Sequence, residues 1–467
     1  MKTRFAPSPT GHIHLGNART ALFNFLLAYS QAGCFLLRIE DSDATRSLLT
    51  LAKALEEDLM WLGLAWQEGP GQEKGLGPYY QSQRQAIYTL YYEQLFSMRR
   101  AYPCFCSEAE LLMMRKRQLA QGKPPRYNGQ CRNLTPEQVA DKKAEGRLAS
   151  LRFHVLPKQE IRFDDFVKGE QVFSSDDIGD FVIQRSDGSA AFFFCNAIDD
   201  ALMKVTHVLR GEDHLTNTPR QILLLQALGL PIPAYGHMAL IVGEDGAPLS
   251  KRHGSFSIKS LREAGYLPEA LQNYLARLGH TYTYPNFLDT QALANQFSLS
   301  RLGKSPARFD EIQLLYWQKQ ALLHLSQDKL ADWLNAKIQD YVPAAAKSAF
   351  IELMRSSICF PEEAVAWATL LFAKTPVLSF NTEVKSFLQK VDPIYWQTLL
   401  TLLEQNPLDF KVLITQLQER LKFKGKALFA PLRLALTGRH DGPELAKLFN
   451  LLSYDKIRER IIHAKNL

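Results

Sequence analysis

The sequence predicts an α/β protein: a doubly wound nucleotide-binding domain, interrupted by an α+β insertion and followed by an all-α region. Three observations predict it. Strand, Pro/Gly loop, helix and strand follow one another between Thr3 and Ile39; turn signals and a cysteine cluster replace that texture over residues 101–190; and past about residue 320 strand signals fade while amphipathic stretches alternate with Pro and Asn breaks. At 467 residues the chain exceeds what one hydrophobic core supports, so about two to four domains are expected.

Thr3 opens a short strand and residues 7–16 form a loop. A helix is expected over residues 17–30, where Ala18, Ala21, Leu22, Phe25, Leu26 and Tyr29 recur at helical spacing. Gly33 ends it, and 34–39 reads as a buried strand. In such a domain ligands sit at the carboxyl ends of parallel strands, where the first loop falls. Ala54, Leu55, Leu59 and Leu62 mark a helix over 53–62. The insertion holds short strands at 161–167 and 179–184, and the α/β character returns over 191–198 and 205–210 with a helix at 219–228. Helical stretches at 326–334, 345–355, 361–373, 395–404 and 408–421 mark the remainder. No internal repeat and no low-complexity tract is present.

A content of 46% hydrophobic and 22% charged residues is that of a folded soluble protein. Apolar runs such as 190–195 fall far short of the roughly 20 residues a membrane helix needs. Met1-Lys2-Thr3-Arg4 leads into prolines and not into an apolar core, which argues against a secretory signal, so a cytoplasmic location with no membrane partner is expected. Fifty-five Lys and Arg against 48 Asp and Glu give +7, which suits a polyanionic partner without demanding one. Six cysteines are too sparse for a disulfide scaffold, but three of them cluster.

Two loops carry chemistry. In Pro7-Ser8-Pro9-Thr10-Gly11-His12-Ile13-His14-Leu15-Gly16-Asn17 the prolines stiffen a turn, while Gly11 and Gly16 allow the close backbone approach that an ATP phosphate or adenine ring requires. His14, at the start of a helix, can donate to a phosphate oxygen in the transition state. A plain Pro/Gly turn with a helix-capping histidine is the alternative. In Gly246-Ala247-Pro248-Leu249-Ser250-Lys251-Arg252-His253-Gly254 two consecutive cations stand between glycines, as in loops that close over triphosphates; a solvated charged turn is the alternative there.

Together the loops resemble the two signatures of class I aminoacyl-tRNA synthetases, HIGH at His14-Leu15-Gly16-Asn17 and KMSKS at Pro248-Leu249-Ser250-Lys251-Arg252. Surrounding blocks narrow the resemblance to bacterial glutamyl-tRNA synthetases: Arg4-Phe5-Ala6-Pro7-Ser8, Leu37-Arg38-Ile39-Glu40-Asp41, Val208-Leu209-Arg210-Gly211-Glu212-Asp213-His214, Asn217-Thr218-Pro219-Arg220-Gln221 and Ser305-Pro306-Ala307-Arg308-Phe309. They run in family order over residues 3 to about 320. The resemblance implies a Rossmann-like class I synthetase catalytic domain in two halves (1–100 and 191–245), an acceptor-stem-binding insertion (101–190), a KMSKS and stem-contact domain (246–320) and a helical anticodon-binding region (321–467). It implies ATP-dependent activation of L-glutamate with Mg²⁺, then transfer to the terminal ribose of tRNA(Glu), with a second, atypical enzyme that also or instead charges tRNA(Gln) as the open variant; a monomer is expected.

His14 and Lys251 then become the transition-state donors. The ATP contacts fall to Pro7, Thr10, Gly11, His14, Gly16, Asn17, Ser250, Lys251 and Arg252. Glutamate offers an ammonium and two carboxylates, so its pocket needs an anion and cations: Glu40 matches the family residue for the ammonium, and Arg4 and Arg210 those for the side-chain carboxylate, with Ser8, Phe192 and Asn196 completing the wall. Pro248 and Asn17 depart from the signatures, and Phe192 stands where the family usually has a tyrosine. Cys104, Cys106 and Cys131 offer three tetrahedral zinc positions. Family members complete such a site with a histidine two residues after the last cysteine, here Asn133, or with a tyrosine that Tyr127 matches; three buried thiols with no metal stay open. Basic stretches at Arg115-Lys116-Arg117 and Arg420-Leu421-Lys422-Phe423-Lys424 suit phosphates. Ser357 stands where discriminating enzymes can have a second arginine. Two other readings stay open: a truncated paralogue that glutamylates a tRNA base, against which the helical region counts, and a catalytically silent tRNA-binding protein, against which His14, Glu40, Arg210 and Lys251 count.

Overall fold

The computed structural model describes residues 1–41, 49–249, 256–373, 378–405 and 409–467. The chain divides into two compact units, Met1–Glu263 with Leu271–Leu314, and Ala264–Ala270 with Leu315–Leu467.

In the first unit the strand Lys2–Phe5 lies parallel to Cys34–Leu37, and the helix Leu15–Ser30 connects them. A second parallel pair, His207–Gly211 with Ala234–Met238, is connected by the helix Thr218–Leu228. The Thr206 amide donates to the Lys2 carbonyl at 2.9 Å, which sets the two pairs side by side. Arg4 and Arg210 therefore stand on neighbouring strands near the carboxyl ends, the position that ligands of such sheets occupy.

The helix Leu15–Ser30 buries residues on every side, among them Leu15, Ala18, Leu22, Asn24 and Leu26, the pattern of a helix enclosed by its domain. It starts two residues before the expected 17, with His14 extended at its N-cap. The helix ends at Ser30, with Gln31 at its C-cap and Ala32 at φ 47°, and Gly33 follows where a Cβ would stand 2.4 Å from the Met1 carbonyl oxygen. The expected helix over 53–62 is Leu49–Trp61. Residues 192–198 belong to a helix, Phe192–Leu202, with Ala191 extended at its N-cap; it buries Phe194, Cys195, Ala197 and Ile198.

The insertion is α+β. Ala101–Cys104, Ser150–Phe153 and Phe181–Gln184 form an antiparallel sheet in that order, beside a hairpin of Glu160–Asp165 and Gly169–Ser174. The strand expected from 179 starts at Phe181 because Gly179, at φ 64°, caps the short helix Ser175–Ile178. The strand expected to 167 stops at Asp165, whose carboxylate accepts from the amides of Val167 and Lys168 and turns the chain. Two helices, Glu108–Ala120 and Pro136–Ala144, open with capping boxes, Ser107 with Glu110 and Thr135 with Gln138. Phe153, Ile161 and Phe181 of the insertion share one hydrophobic cluster with Phe194, Val208 and Leu224. The insertion is thus packed onto the core of the parallel sheet.

The second unit contains the helices Gln327–Ile338, Lys347–Met354, Pro361–Phe372, Thr382–Leu388, Pro393–Gln405, Phe410–Leu421, Lys426–Thr437, Leu445–Leu451 and Tyr454–Lys465, with no strand among its described residues. Phe350, Trp367, Tyr395, Trp396 and Phe449 fill its interior. The Tyr395 hydroxyl donates to the Leu428 carbonyl at 2.7 Å, and the buried Arg460 donates to the carbonyls of Leu436 and Leu370, so these two large polar side chains are satisfied.

Candidate active site

Two cavities share the wall made by Pro7, Ser8, Thr10 and Asn17. One, of about 460 Å³, is lined further by Gly11, His12, His14 and Ser257. The other, of about 370 Å³, is lined further by Arg4, Gly16, Glu40, Phe192, Asn196 and Arg210. The structure thus brings together every expected nucleotide and amino-acid residue of the first loop and the sheet. Ser250, Lys251 and Arg252 lie outside the described residues.

The 460 Å³ cavity suits a nucleotide for local reasons. Among the described residues, nothing beyond the chain neighbours and the local helix backbone lies within 4 Å of where a Cβ would stand on Gly11 or Gly16, and neither takes the left-handed backbone that favours glycine. These glycines keep space open beside the loop rather than permit a turn. His14 and Asn17 are exposed at the first turn of the helix Leu15–Ser30, where the helix dipole favours an anion. The His14 side chain makes no capping hydrogen bond to that helix. Its backbone bridges to Ser257, and the Ile258 amide donates to the Ile13 carbonyl at 2.8 Å, which ties the loop to the chain beyond the second signature.

The 370 Å³ cavity is a charge device. Arg38, fully buried, donates to Asp200 at 2.7 Å and to the Asn196 amide oxygen at 2.9 Å, and its Nη2 lies 3.5 Å from Glu40. Asn196 in turn donates to Glu40 at 2.6 Å. Arg4 donates to both oxygens of Asp200 at 3.3 Å. Burial works against the Asp200 charge, yet Arg4 and Arg38 outweigh it and hold this carboxyl below its ordinary range. Glu40 goes the other way: burial pushes its carboxyl up, and Arg38 and Asn196 compensate only in part. An under-compensated buried carboxylate favours a cation beside it.

Arg210 is the complementary case. Its Nε donates to His237 at 3.1 Å and its Nη2 to Thr218 at 2.8 Å and Gln221 at 2.7 Å, all neutral acceptors, while Nη1 has no hydrogen-bond partner among the described residues. No carboxylate comes within 4.0 Å of it among the described residues, and burial pushes its guanidinium down to about 10. Arg4 is ion-paired to Asp200 and Arg210 is not, so the cation open to a ligand carboxylate is Arg210. The cavity therefore presents one under-compensated anion and one uncompensated cation, the complement of an amino acid with an acidic side chain. Phe192 stacks on His214 at 5.2 Å between ring centroids and offers no hydroxyl.

Several residues at this site were not anticipated from the sequence. Arg38 and Asp200 fix Glu40 and Arg4; His214 forms part of the wall; and Arg19, buried and pushed down to about 10 by burial, donates to the carbonyls of Ala239 and Leu278. Arg38 lies inside one of the motif blocks, which was the available signal.

The three cysteines come together. The Sγ atoms of Cys104, Cys106 and Cys131 lie within 4.8 Å of one another, and the Tyr127 hydroxyl is 3.4 Å from Cys104 and 3.5 Å from Cys106. The Arg152 guanidinium sits over the Tyr127 ring at 3.9 Å. Asn133 is exposed. Arg115, Lys116 and Arg117 are exposed on the helix Glu108–Ala120, as are Arg420 in the last turn of the helix Phe410–Leu421 and Lys422 and Lys424 after it. Arg355 is engaged within its own unit, paired with Glu352 at 2.9 Å and donating to the Leu322 and Leu325 carbonyls, and the Ser357 hydroxyl donates to the Leu353 carbonyl. No described helix is long and apolar enough to cross a membrane.

Comparisons with known proteins agree with this geometry. The family of class I tRNA synthetases (E and Q), catalytic domain, matches residues 1–316, and an anticodon binding domain matches residues 327–465. The chain is 55% identical over 461 residues to glutamate–tRNA ligase 2 of Nitrosococcus oceani, covering 99% of this chain and 97% of that one. It is 51% identical over 464 residues to glutamate–tRNA ligase 2 of Coxiella burnetii, covering 99% of each. A crystal structure of a glutamate tRNA ligase from Elizabethkingia meningosepticum in complex with its amino acid superposes with a TM-score of 0.89 at 28% identity, covering 100% of this chain and 99% of that one. The chain belongs to the class I tRNA synthetases of the E and Q group, among the glutamate–tRNA ligases.

Proposed function

We propose that the chain activates L-glutamate with ATP and transfers it to the 3′-terminal ribose of tRNA(Glu). The observation that carries this is the pairing of charges in the 370 Å³ cavity: Glu40 awaiting a cation and Arg210 awaiting an anion, beside a second cavity edged by the HIGH loop. Glu40 takes the ammonium, and Arg210 takes the side-chain carboxylate with Arg4 beside it. Asn196 lines the 370 Å³ cavity and fixes Glu40, and Ser8 holds the amino acid where the two cavities share a wall. There the α-carboxylate oxygen attacks the α-phosphorus of ATP in line, the bond to the bridging oxygen breaks, and pyrophosphate leaves.

Pro7, Thr10, Gly11, Gly16 and Asn17 shape the nucleotide cavity, while His14 and Lys251 donate to the oxygens on which charge builds, with Ser250 and Arg252 beside Lys251. Mg²⁺ bound with ATP would neutralise phosphate charge beside these donors. The terminal ribose hydroxyl of the tRNA then attacks the adenylate carbonyl and AMP leaves. The match of residues 327–465 to an anticodon binding domain separates the chain from a truncated, base-modifying paralogue, and the charged pocket separates it from a silent binding protein.

Cys104, Cys106, Cys131 and Tyr127 fit a tetrahedral structural Zn²⁺, since three sulfurs within 4.8 Å of one another and a phenol oxygen touching two of them match the geometry of such ions. The site stiffens the insertion and takes no part in the chemistry. Charging of tRNA(Gln) is favoured by Ser357, which leaves Arg355 without a second arginine beside it. Charging purified tRNA(Glu) and tRNA(Gln) transcripts side by side tests the assignment: glutamylation of neither overturns it, and glutamylation of tRNA(Gln) shows a broadened anticodon choice. The chain works in the cytoplasm as a monomer.

A further inference from the structure

The Arg210 guanidinium is oriented by a residue of the insertion, through a histidine. Arginine Nε–H can only donate, so His237 Nε2 must present its lone pair at 3.1 Å, and the ring proton must sit on Nδ1. That proton goes to Asp165 Oδ2 at 2.5 Å. Asp165 is itself fixed, because its Oδ1 accepts from the amides of Val167 at 2.9 Å, Lys168 at 2.8 Å and His237 at 3.2 Å. The Thr218 hydroxyl, 3.0 Å from His237 Nε2, and Gln221 complete the cradle, and all four residues are buried.

We propose that Asp165 and His237 are positioning residues for the side-chain carboxylate of the amino acid: they hold the one histidine tautomer that orients Arg210 without neutralising it. The pocket thereby prefers an acid to its amide. Arg4, the other cation of the cavity, shares its charge with Asp200 and lacks this property. A carboxylate placed directly on Arg210 would satisfy the guanidinium and remove the preference; a carboxylate one imidazole away directs it and leaves the charge for the ligand. Burial keeps His237 neutral against the pull of Asp165, and Arg210 and Arg4, which face it, act in the same direction as burial.

The inference rests on the reading of Arg210 as the carboxylate-binding residue, and four proteins separate the two claims. Steady-state ATP–pyrophosphate exchange, with tRNA present, is measured for the wild type, Asp165→Asn, His237→Gln and Arg210→Gln, with glutamate and with glutamine. In Asp165→Asn the amide oxygen stays on the backbone amides and the NH₂ faces Nδ1, so the ring proton moves to Nε2 and meets Arg210 donor to donor. The glutamate KM is expected to rise about tenfold, the scale of one hydrogen bond to a charged group. The ATP KM is expected to stay in place, and the preference for glutamate over glutamine in kcat/KM to fall. His237→Gln keeps an acceptor near Arg210 and is expected to fall between the two. An unmoved glutamate KM in Asp165→Asn, with a raised one in Arg210→Gln, overturns the positioning role alone; an unmoved KM in Arg210→Gln overturns the reading beneath it. Equal losses in both KM values and kcat assign Asp165 a merely structural role and also overturn the proposal. Should Asp165→Asn fail to fold, His237→Gln decides by the same readouts.

Discussion

Glu40 is buried with a single strong donor, Asn196 at 2.6 Å, and Arg38 at 3.5 Å, and burial lifts its carboxyl above the ordinary range. Glu40→Gln keeps the volume and the acceptor for Asn196 and deletes only the charge. The ammonium of the substrate then loses one charged hydrogen-bond partner, worth about 1.5–3 kcal/mol. At about 1.4 kcal/mol per factor of ten, this is a rise of about ten- to 150-fold in the glutamate KM. Stability moves the other way. A carboxyl whose folded pKa lies above its unfolded value penalises folding at neutral pH, and the penalty is relieved as pH falls through the raised pKa. Arg38 keeps Asp200 at 2.7 Å when Glu40 is neutral, so no buried cation is stranded. The melting temperature of Glu40→Gln at neutral pH is therefore expected to equal or exceed that of the wild type. For the wild type, the glutamate KM is expected to rise as pH falls toward the raised pKa of Glu40, and this rise is expected to vanish in the variant. Pyrophosphate-exchange kinetics across pH, with thermal unfolding of both proteins, measure all three quantities. A variant that melts lower and keeps its glutamate KM refutes the reasoning.

Lys251→Ala is expected to slow glutamyl-adenylate formation by at least about tenfold with an unchanged circular dichroism spectrum, the scale of losing one transition-state donor; near wild-type exchange in a tRNA-supplemented assay counts against its role. Phe192→Tyr restores a hydroxyl to the wall shared with His214 and is expected to lower the glutamate KM, and an unchanged or higher value argues against it. Elemental analysis of protein purified without chelator is expected to find about one zinc per chain, as three thiolates and a phenol require; a substoichiometric content sinks the proposed metal site.

Legibility from sequence followed the distance between partners. The nucleotide loop was readable because Pro7 to Asn17 are contiguous and its glycines and histidine carry their chemistry locally. Arg4, Glu40 and Arg210 were readable as members of motif blocks, but not what they touch. Asp200 is 162 residues from Arg38 and His237 is 72 residues from Asp165, and no periodicity encodes such pairings. Arg4 and Arg210 looked equivalent in sequence, and only the Asp200 contact distinguishes them. The apolar run 191–198 carried no sign of its helical state, because a short aromatic run satisfies strand and helix patterns alike. Strand ends at 165 and 181 depended on a carboxylate turn and a left-handed glycine, which act one residue at a time. The three cysteines were found by spacing and Tyr127 by resemblance, whereas the distances of its hydroxyl to Cys104 and Cys106 belong to the three-dimensional structure.

The central claim is that the cavity edged by Glu40 and Arg210 selects and activates glutamate. ATP–pyrophosphate exchange with purified protein, ATP, Mg²⁺ and tRNA, run with each of the common amino acids in turn, tests it most directly. Exchange is expected to depend on L-glutamate, with glutamine far weaker and the remainder silent. Exchange driven by glutamine or another amino acid as well as by glutamate, or none with any, would contradict it.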